Sequence, residues 1–494
     1  MIYSRESCLI ECPLTLLTIL LSLSEMSISP QNLTARLKNS KSLSDLRKHA
    51  NEHFSMMNAV HDSVICVACG RFGSSTTHYD RLVYDCRVFY FTAAEMWLKR
   101  PERSFGREAR AVANILHAGA KLRVDSHNEV MRRLFDEALR MCGGFGAQHA
   151  ANSIWAAATM GVADARVVNG LARACLDRVK DFIPQAAANS IWAIATLKVS
   201  DAHVIAALAQ ACVDCVRDFN AQAAANSIWA IATLKVTDAH VISALAQAFV
   251  DRVRDLNPQN AANSLWAIAS LGVSDARIIS ALAQACIDRI DELNPQEASN
   301  TLWSAAVLNI TDTNITRPLT AAVSERFKLL TRFDHAQQCL QAHYSGRTLS
   351  EEAVKHFHAI LLAHPLSTSI SNQQRAVSST LTRLGYTPQL EVPVFNGLVT
   401  TDIVIEKPSS DGSGRLIKVS IEFDGPTHYL RPSMGSRDRV GPIDAKTRLR
   451  NALLKKCNEF EVLITIPYYE WDELEGRKEK EEEYMKRKVT EVKR

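Results

Sequence analysis

Between Arg431 and Lys456 the chain carries eight cations, Arg431, Arg437, Arg439, Lys446, Arg448, Arg450, Lys455 and Lys456, against Asp438 and Asp444, a net +6 in 26 residues. His428, Tyr429, Tyr468, Tyr469 and Trp471 lie close by in sequence. Cations pair with phosphates and rings stack on bases, so this mixture suits single-stranded RNA.

These residues sit in a region of strands and helices. STSISNQQRAVSSTLTRLGY reads as a linker and a helix ended by Gly385, and the alternating runs EVPVFN, LVTTDIVIE and LIKVSIEFDG read as strands. Lys446 to Lys456 reads as a basic helix. The tail from Glu470, with EGRKEKEEEYMKRK, reads as a solvated helix of paired charges with no assigned function. The expected divisions are a linker and helix at 361–388 and an α/β domain at 389–494.

Upstream the chain repeats itself. QAAANSIWAIATLKV occurs letter for letter at Gln185 to Val199 and at Gln222 to Val236. Trp155, Trp192, Trp229, Trp266 and Trp303 recur every 37 residues, each three positions after an Asn, at Asn152, Asn189, Asn226, Asn263 and Asn300. A fixed period of this length is the mark of a solenoid. In one unit PQAAANSIWAIATL is Ala-rich without internal Gly or Pro, so it reads as a helix opening at Pro184. Val204, Ile205, Leu208, Cys212, Val216 and Phe219 then form a helical stripe behind a Ser200 or Asp201 cap. Each unit is therefore a helical hairpin, and stacking buries what one hairpin cannot. At the flanks Asn114 and His117, then Gln337 and Leu340, stand where Asn and Trp belong. The array is placed at 105–360, with core units at 148–312 and a helical region at 51–104 before it.

A residue that reads bases must vary between units, so the invariant Asn and Trp are expected to be scaffold, with each Trp anchoring one layer to the next. The variable polar row Arg166, His203, His240, Arg277 and Asn314 opens each second helix, where phosphates are favoured, and is the candidate contact row. One count opposes RNA: Gln148 to Asp312 holds 11 Lys and Arg against 15 Asp and Glu, a net −4. The array binds RNA on this reading only where cations gather on one side; otherwise it is a protein-interaction scaffold.

Two resemblances follow from these residues. The repeats resemble the helical-hairpin families that bind organellar RNA, octotricopeptide-like repeats in particular. The C-terminal region resembles a RAP domain through Glu422-Phe-Asp424-Gly425-Pro426-x-His428, the basic helix from Lys446, and Ile466-Pro467-Tyr468-Tyr469-Glu470-Trp471. Repeats followed by a RAP domain is an arrangement similar to that of the FAST-kinase-like and octotricopeptide families. The resemblance implies a restriction-endonuclease-like fold, in which Asp402, Glu422 and Asp424 occupy the positions of acids that hold a divalent metal for phosphodiester cleavage. Mg²⁺ prefers such hard oxygens. The nuclease pattern has a Lys two residues after the Glu, and this chain has Asp424 there. Alternation puts Glu422 and Asp424 on one strand face, which fits either a metal pair or an acid capping the Gly-Pro turn.

Bulk properties fit a globular protein of two or three parts, and a net charge of +4 is too mild to mark an acidic partner by itself. The chain has 494 residues, 47 % apolar and 22 % charged, too apolar to be disordered throughout. Twelve scattered cysteines fit a reducing compartment, and the lone Cys66-x-x-Cys69 lacks the second pair a zinc site needs. The apolar run Pro13 to Leu23 is too short to span a bilayer, while the Ser-rich, basic stretch after Met26 resembles a transit peptide. Residues 1–50 are thus expected to be a targeting or unordered segment, with the mitochondrion as destination and the plastid as alternative. The expected fold is an α-helical repeat solenoid followed by an α/β domain. The expected role is binding of single-stranded organellar RNA, with ribosomal RNA as one candidate, in processing, maturation or stability, with ribonucleoprotein or ribosome-assembly proteins as partners and no membrane. A Mg²⁺-dependent endoribonuclease is the alternative.

Overall fold

The computed structural model describes residues 28–74, 81–101, 108–364, 370–409, 414–430 and 440–490. The chain divides into two compact units, residues 1–134 and 135–494.

The first unit holds α1 (Pro30–Asn39), α2 (Leu43–Glu52), α3 (Ala59–Ser74), α4 (Arg81–Lys99), α5 (Ala109–Lys121) and the start of α6 (Glu129–Met141). Residues 30–50, expected to be part of a targeting or unordered segment, are largely helical. Ser29 caps α1 ahead of Pro30, and Leu33, Leu37 and Leu46 are fully buried, so apolar spacing outweighs the Ser-rich composition there. The run before Met26 lies outside the described residues. Cys66 and Cys69 are buried in α3, where loss of solvation pushes both thiols well up, so they pack as small apolar groups. α5 ends on a turn with Arg123 at φ +52° and the Val124 N–H donating to Gly119 O, the same closure as in the repeats below, which sets Asn114 and His117 at the Asn and Trp positions.

The second unit opens with six helical hairpins. Their first helices are α7 (Ala147–Thr159), α9 (Pro184–Thr196), α11 (Ala221–Thr233), α13 (Pro258–Leu271), α15 (Pro295–Val307) and α17 (Phe333–Tyr344). The second helices are α8 (Ala165–Asp177), α10 (Ala202–Asp214), α12 (Ala239–Val250), α14 (Ala276–Ile287), α16 (Thr313–Arg326) and α18 (Glu351–Ala363). Asp164, Asp201, Asp238, Asp275 and Asp312 cap the second helices by accepting from backbone N–H groups two or three residues on. First helices pack far more extensively on one another than second helices do, which sets the first helices on the tighter side of the solenoid. Ala, Ser and Ile make that contact: in α9, Ala186, Ala187, Ala188, Ser190, Ile191, Ala193, Ile194 and Ala195 are all buried. Small side chains let neighbouring axes approach to about 8 Å, and each Ile contributes about 2 kcal/mol by leaving water.

Each first helix then closes through a left-handed residue. Gly161, Lys198, Lys235, Gly272, Asn309 and Gly346 recur every 37 residues with φ between +51° and +101°. The following N–H reaches back five residues, as from Val199 to Ile194 O at 2.9 Å, which satisfies an otherwise orphaned helix carbonyl.

The C-terminal domain is a four-stranded sheet in the order β1 (Gln389–Val394), β2 (Val399–Pro408), β3 (Leu416–Asp424), β4 (Val462–Pro467). The first three strands are antiparallel, and β3 and β4 are parallel, joined by a crossover through α20 (Ala445–Lys456). One face of the sheet is covered by α19 (Asn372–Arg383), α21 (Tyr468–Asp472) and α22 (Lys478–Thr490) around Ile403, Ile421, Phe423, Ile466, Trp471 and Met485. The tail is therefore not merely solvated. Tyr484, Met485 and Val489 are core residues of α22, and Glu481 accepts from Thr380 Oγ1 at 3.1 Å. These few apolar residues, at positions 484, 485 and 489, form one helical stripe hidden beneath the charges.

Candidate nucleic-acid interface

The three acids that the motif brings together do meet, but around a cation of the chain itself. The paired register of β2 and β3 extends to Ile403 and Ile421; beyond it the Asp402 N–H donates to Glu422 Oε1 at 3.2 Å and the Phe423 N–H to Asp402 Oδ2 at 2.7 Å. The carboxylates thus supply hydrogen bonds where the regular ladder stops, which meets the need of buried backbone N–H groups. Glu422 and Asp424 are both fully buried. From α20, Arg450 Nη2 lies 2.8 Å from Asp424 Oδ1 and 3.2 Å from Glu422 Oε2. His428 Nδ1 stands 2.9 Å from the same Asp424 oxygen.

Burial pushes Glu422 up to about 8, with Arg450 opposing and Asp402 adding to the rise; burial also raises Asp402. A carboxyl in that state holds its proton at neutral pH. The set does not fit the metal that the nuclease resemblance implies, because the Arg450 guanidinium lies against both Glu422 and Asp424 and supplies the positive charge that a divalent cation would bring. Among the described residues no group of three or more His, Cys, Asp or Glu is arranged to hold a metal ion.

The basic residues sort into three groups. Arg431, Arg437 and Arg439 lie outside the described residues. Arg450 is the counter-ion of the buried acids, so its charge is engaged inside the domain rather than offered to phosphate. Lys446, Arg448, Lys455 and Lys456 are exposed on α20. Among the rings, Tyr429 is buried, so it cannot present its face to a base as expected; it forms an edge-to-face cluster with Tyr468 and Tyr469, at centroid distances of 5.6 and 6.0 Å. Tyr469 is the exposed member at 37 %. Trp471 is core.

α20 has a second attachment, to the repeats. Ala445 and Leu449 pack against Ala269 of α13 and Trp303 of α15, with Trp266, Val307 and Leu308 around them. Asp444, which caps α20, pairs with Lys235 Nζ at 2.7 Å, and the same ammonium donates to Thr427 O. Gly272, at φ +70°, lets the Arg448 guanidinium lie where a side chain would begin: a Cβ there would stand 2.8 Å from Nη2. Sequence reasoning missed this seat. Its one visible signal is that the corner residue changes from Lys198 and Lys235 to Gly272 within otherwise near-identical units.

The candidate contact row of the repeats faces solvent. Arg166, His203, His240 and Arg277 are exposed at the N-termini of the second helices; Arg166 pairs with Asp164 and Asp136, and Arg277 with Asp275. The invariant Trp residues differ in burial along the array. Trp303 is buried and donates to Gln341 Oε1 of α17 at 3.1 Å, whereas Trp155, Trp192, Trp229 and Trp266 are partly exposed. In α9 the residues open to solvent are Gln185, Asn189, Trp192 and Thr196, one helical stripe, and α7 and α11 repeat it.

The charges of the array lie mostly away from the first helices. α7, α9, α11 and α13 contain no Asp, Glu, Lys or Arg, and Glu297 of α15 is buried in a capping box. The first helices of those units therefore offer RNA neither acids nor gathered cations, and the exposed cations beside them are those of α20.

Comparison with known families fits this geometry. The RAP domain family matches residues 421–488, from the acid strand through α20 and β4 into α22. The chain carries a RAP domain. A second family, described as the RNA-editing substrate-binding complex 6 protein, matches residues 105–313, the repeats up to the start of α16. No curated protein matches the chain. Helix α20, which the RAP domain presents to the repeats, bears the exposed cations.

Proposed function

We propose that the protein binds single-stranded RNA in organellar RNA processing, with the repeats positioning the strand and the RAP domain gripping it. The observation that carries this reading is the seat of α20: a helix with four exposed cations packs on α13 and α15, two repeat helices that have no exposed acid. Phosphates would meet cations and bases would meet rings and amides, which is how single strands are held without duplex geometry. The similarity of residues 105–313 to a family named for an RNA-editing substrate-binding complex supports RNA as the ligand and a mitochondrial setting. Lys446, Arg448, Lys455, Lys456 and Tyr469 are the proposed RNA contacts within the RAP domain, and ribonucleoprotein complexes are the proposed partners. Among the described residues no helix is long and apolar enough to cross a membrane.

Cleavage is not part of this proposal, because the Arg450 guanidinium, paired with Asp424 and Glu422, fills the role that a metal would need there. Crosslinking in cells followed by sequencing of the bound RNA tests the reading. Recovery of defined organellar transcripts supports it; recovery of no RNA above background contradicts it.

A further inference from the structure

The geometry points to the outer face of α4, in the first unit, as the surface on which a second copy of this chain docks, the two helices pairing antiparallel about Val88. The inference stands apart from RNA binding and concerns residues that neither family match reaches. Three observations carry it.

The first is exposure. The other sides of α4 are engaged: Cys86, Tyr90 and Trp97 are buried, Asp85 faces Arg47 of α2 at 3.9 Å, and Arg87 donates to Leu122 O at 2.9 Å. What is left open is one stripe, Arg81, Tyr84, Val88, Thr92 and Glu95, at spacings of three and four. Its middle is apolar, with Tyr84 60 % exposed and Val88 44 % exposed. Apolar residues scattered singly over a surface need no partner, but these two adjoin on one helix face. Spacing of this kind is that of a seam between two helices.

The second is symmetry. In a two-fold contact the same patch must complement itself, so each residue meets the one equally far from the axis in the other copy. With the axis at Val88, the two valines meet each other, and each Tyr84 ring lies against the methyl and hydroxyl of Thr92. Arg81 and Glu95 both stand seven residues from Val88, about 10 Å along the helix. Each arginine therefore reaches the glutamate of the other copy, at both ends of the seam.

The third is charge. Arg81 is exposed, and the Glu95 side chain is 46 % exposed with its Oε1 on Lys99 Nζ at 2.8 Å, so Oε2 can accept from a second cation. A parallel pair would instead set arginine on arginine and glutamate on glutamate, which repulsion disfavours. The charges thus select the orientation as well as the partner. Four helical turns from each copy lie at the small end of specific interfaces, so the expected dissociation constant is on the order of 10 µM.

Sedimentation velocity of the full chain from about 1 to about 100 µM is the test. The mass should rise from monomer to dimer across that range. Val88→Glu, which puts two carboxylates on the axis, should leave monomer only, with an unchanged circular dichroism melt because the position is open in the single chain. Arg81→Glu and Glu95→Arg should each weaken the dimer by roughly tenfold, since every swap alters two symmetric contacts. The double variant Arg81→Glu, Glu95→Arg should return it to within about threefold of wild type. Added salt should narrow these differences. A wild type that stays monomeric throughout, a dimer indifferent to Val88→Glu, or a double variant no tighter than the single swaps overturns the proposal. None of these outcomes bears on RNA binding.

Discussion

At the scale of single residues, the acid cluster decides what the RAP domain does with its charges. Arg450 faces Asp424 and Glu422, both fully buried, so removing it strands buried carboxyls. Arg450→Ala should cost about 3 kcal/mol or more in urea unfolding, whereas Lys455→Ala, on the exposed face, should change stability by less than about 0.5 kcal/mol. Equal small effects would mean that Arg450 is free for RNA after all. Glu422 adds a pH dependence. Its folded value of about 8 lies above its ordinary 4.5, so between these the folded chain keeps a proton that the unfolded chain releases. Stability should therefore fall as pH rises from about 4.5 to about 8 and level off above, and Glu422→Gln should flatten that fall. A variant with an unchanged slope contradicts the buried, protonated state. The motif Glu422-x-Asp424 was legible in the sequence, and so was its shared strand face. Arg450 was not legible as its partner, because 26 residues and a strand crossover separate it from Asp424, and nothing in a run of eight cations marks the one that turns inward.

Among the elements, the first helices and their left-handed corners carry the architecture. The 37-residue period, the hairpin form and the Asp caps could all be read from spacing, since each depends on local propensity. The orientation of the Trp could not: an indole at a fixed place in an Ala-rich helix serves a core as readily as a surface, and only the stacking of neighbours decides which side is open. A comparison of the two corner lysines tests the seat of α20. Lys198, at φ +56°, makes no hydrogen bond or ion pair with the described residues of the RAP domain, so Lys198→Gly should relieve left-handed strain and raise stability by about 1 kcal/mol. Lys235 has the same φ but holds Asp444 and Thr427, so Lys235→Gly should gain less or lose stability. Identical shifts in thermal midpoint for the two variants would mean that α20 does not rest on the repeats in solution.

For the molecule as a whole, charge is kept off the first helices of the central repeats. The net −4 of residues 148–312 lies on second helices and turns apart from the buried Glu297, and α7, α9, α11 and α13 carry neither acids nor Lys or Arg, so these helices do not repel phosphate and the exposed cations beside them are those of α20. Composition cannot show this, because placement depends on which helix of each hairpin faces inward. The direct measurement is the affinity of the full chain for single-stranded RNA across a salt series, with duplex RNA of the same sequence as competitor. Pairing of phosphates with the exposed cations of α20 predicts a linear fall of log affinity with log salt, by about 0.7 for each phosphate held, and a slope reduced by roughly 2 to 3 when Lys446, Arg448, Lys455 and Lys456 are changed together to Ala. Single strands should outcompete duplex. An affinity indifferent to salt and to those four substitutions, or a preference for duplex, would contradict the account.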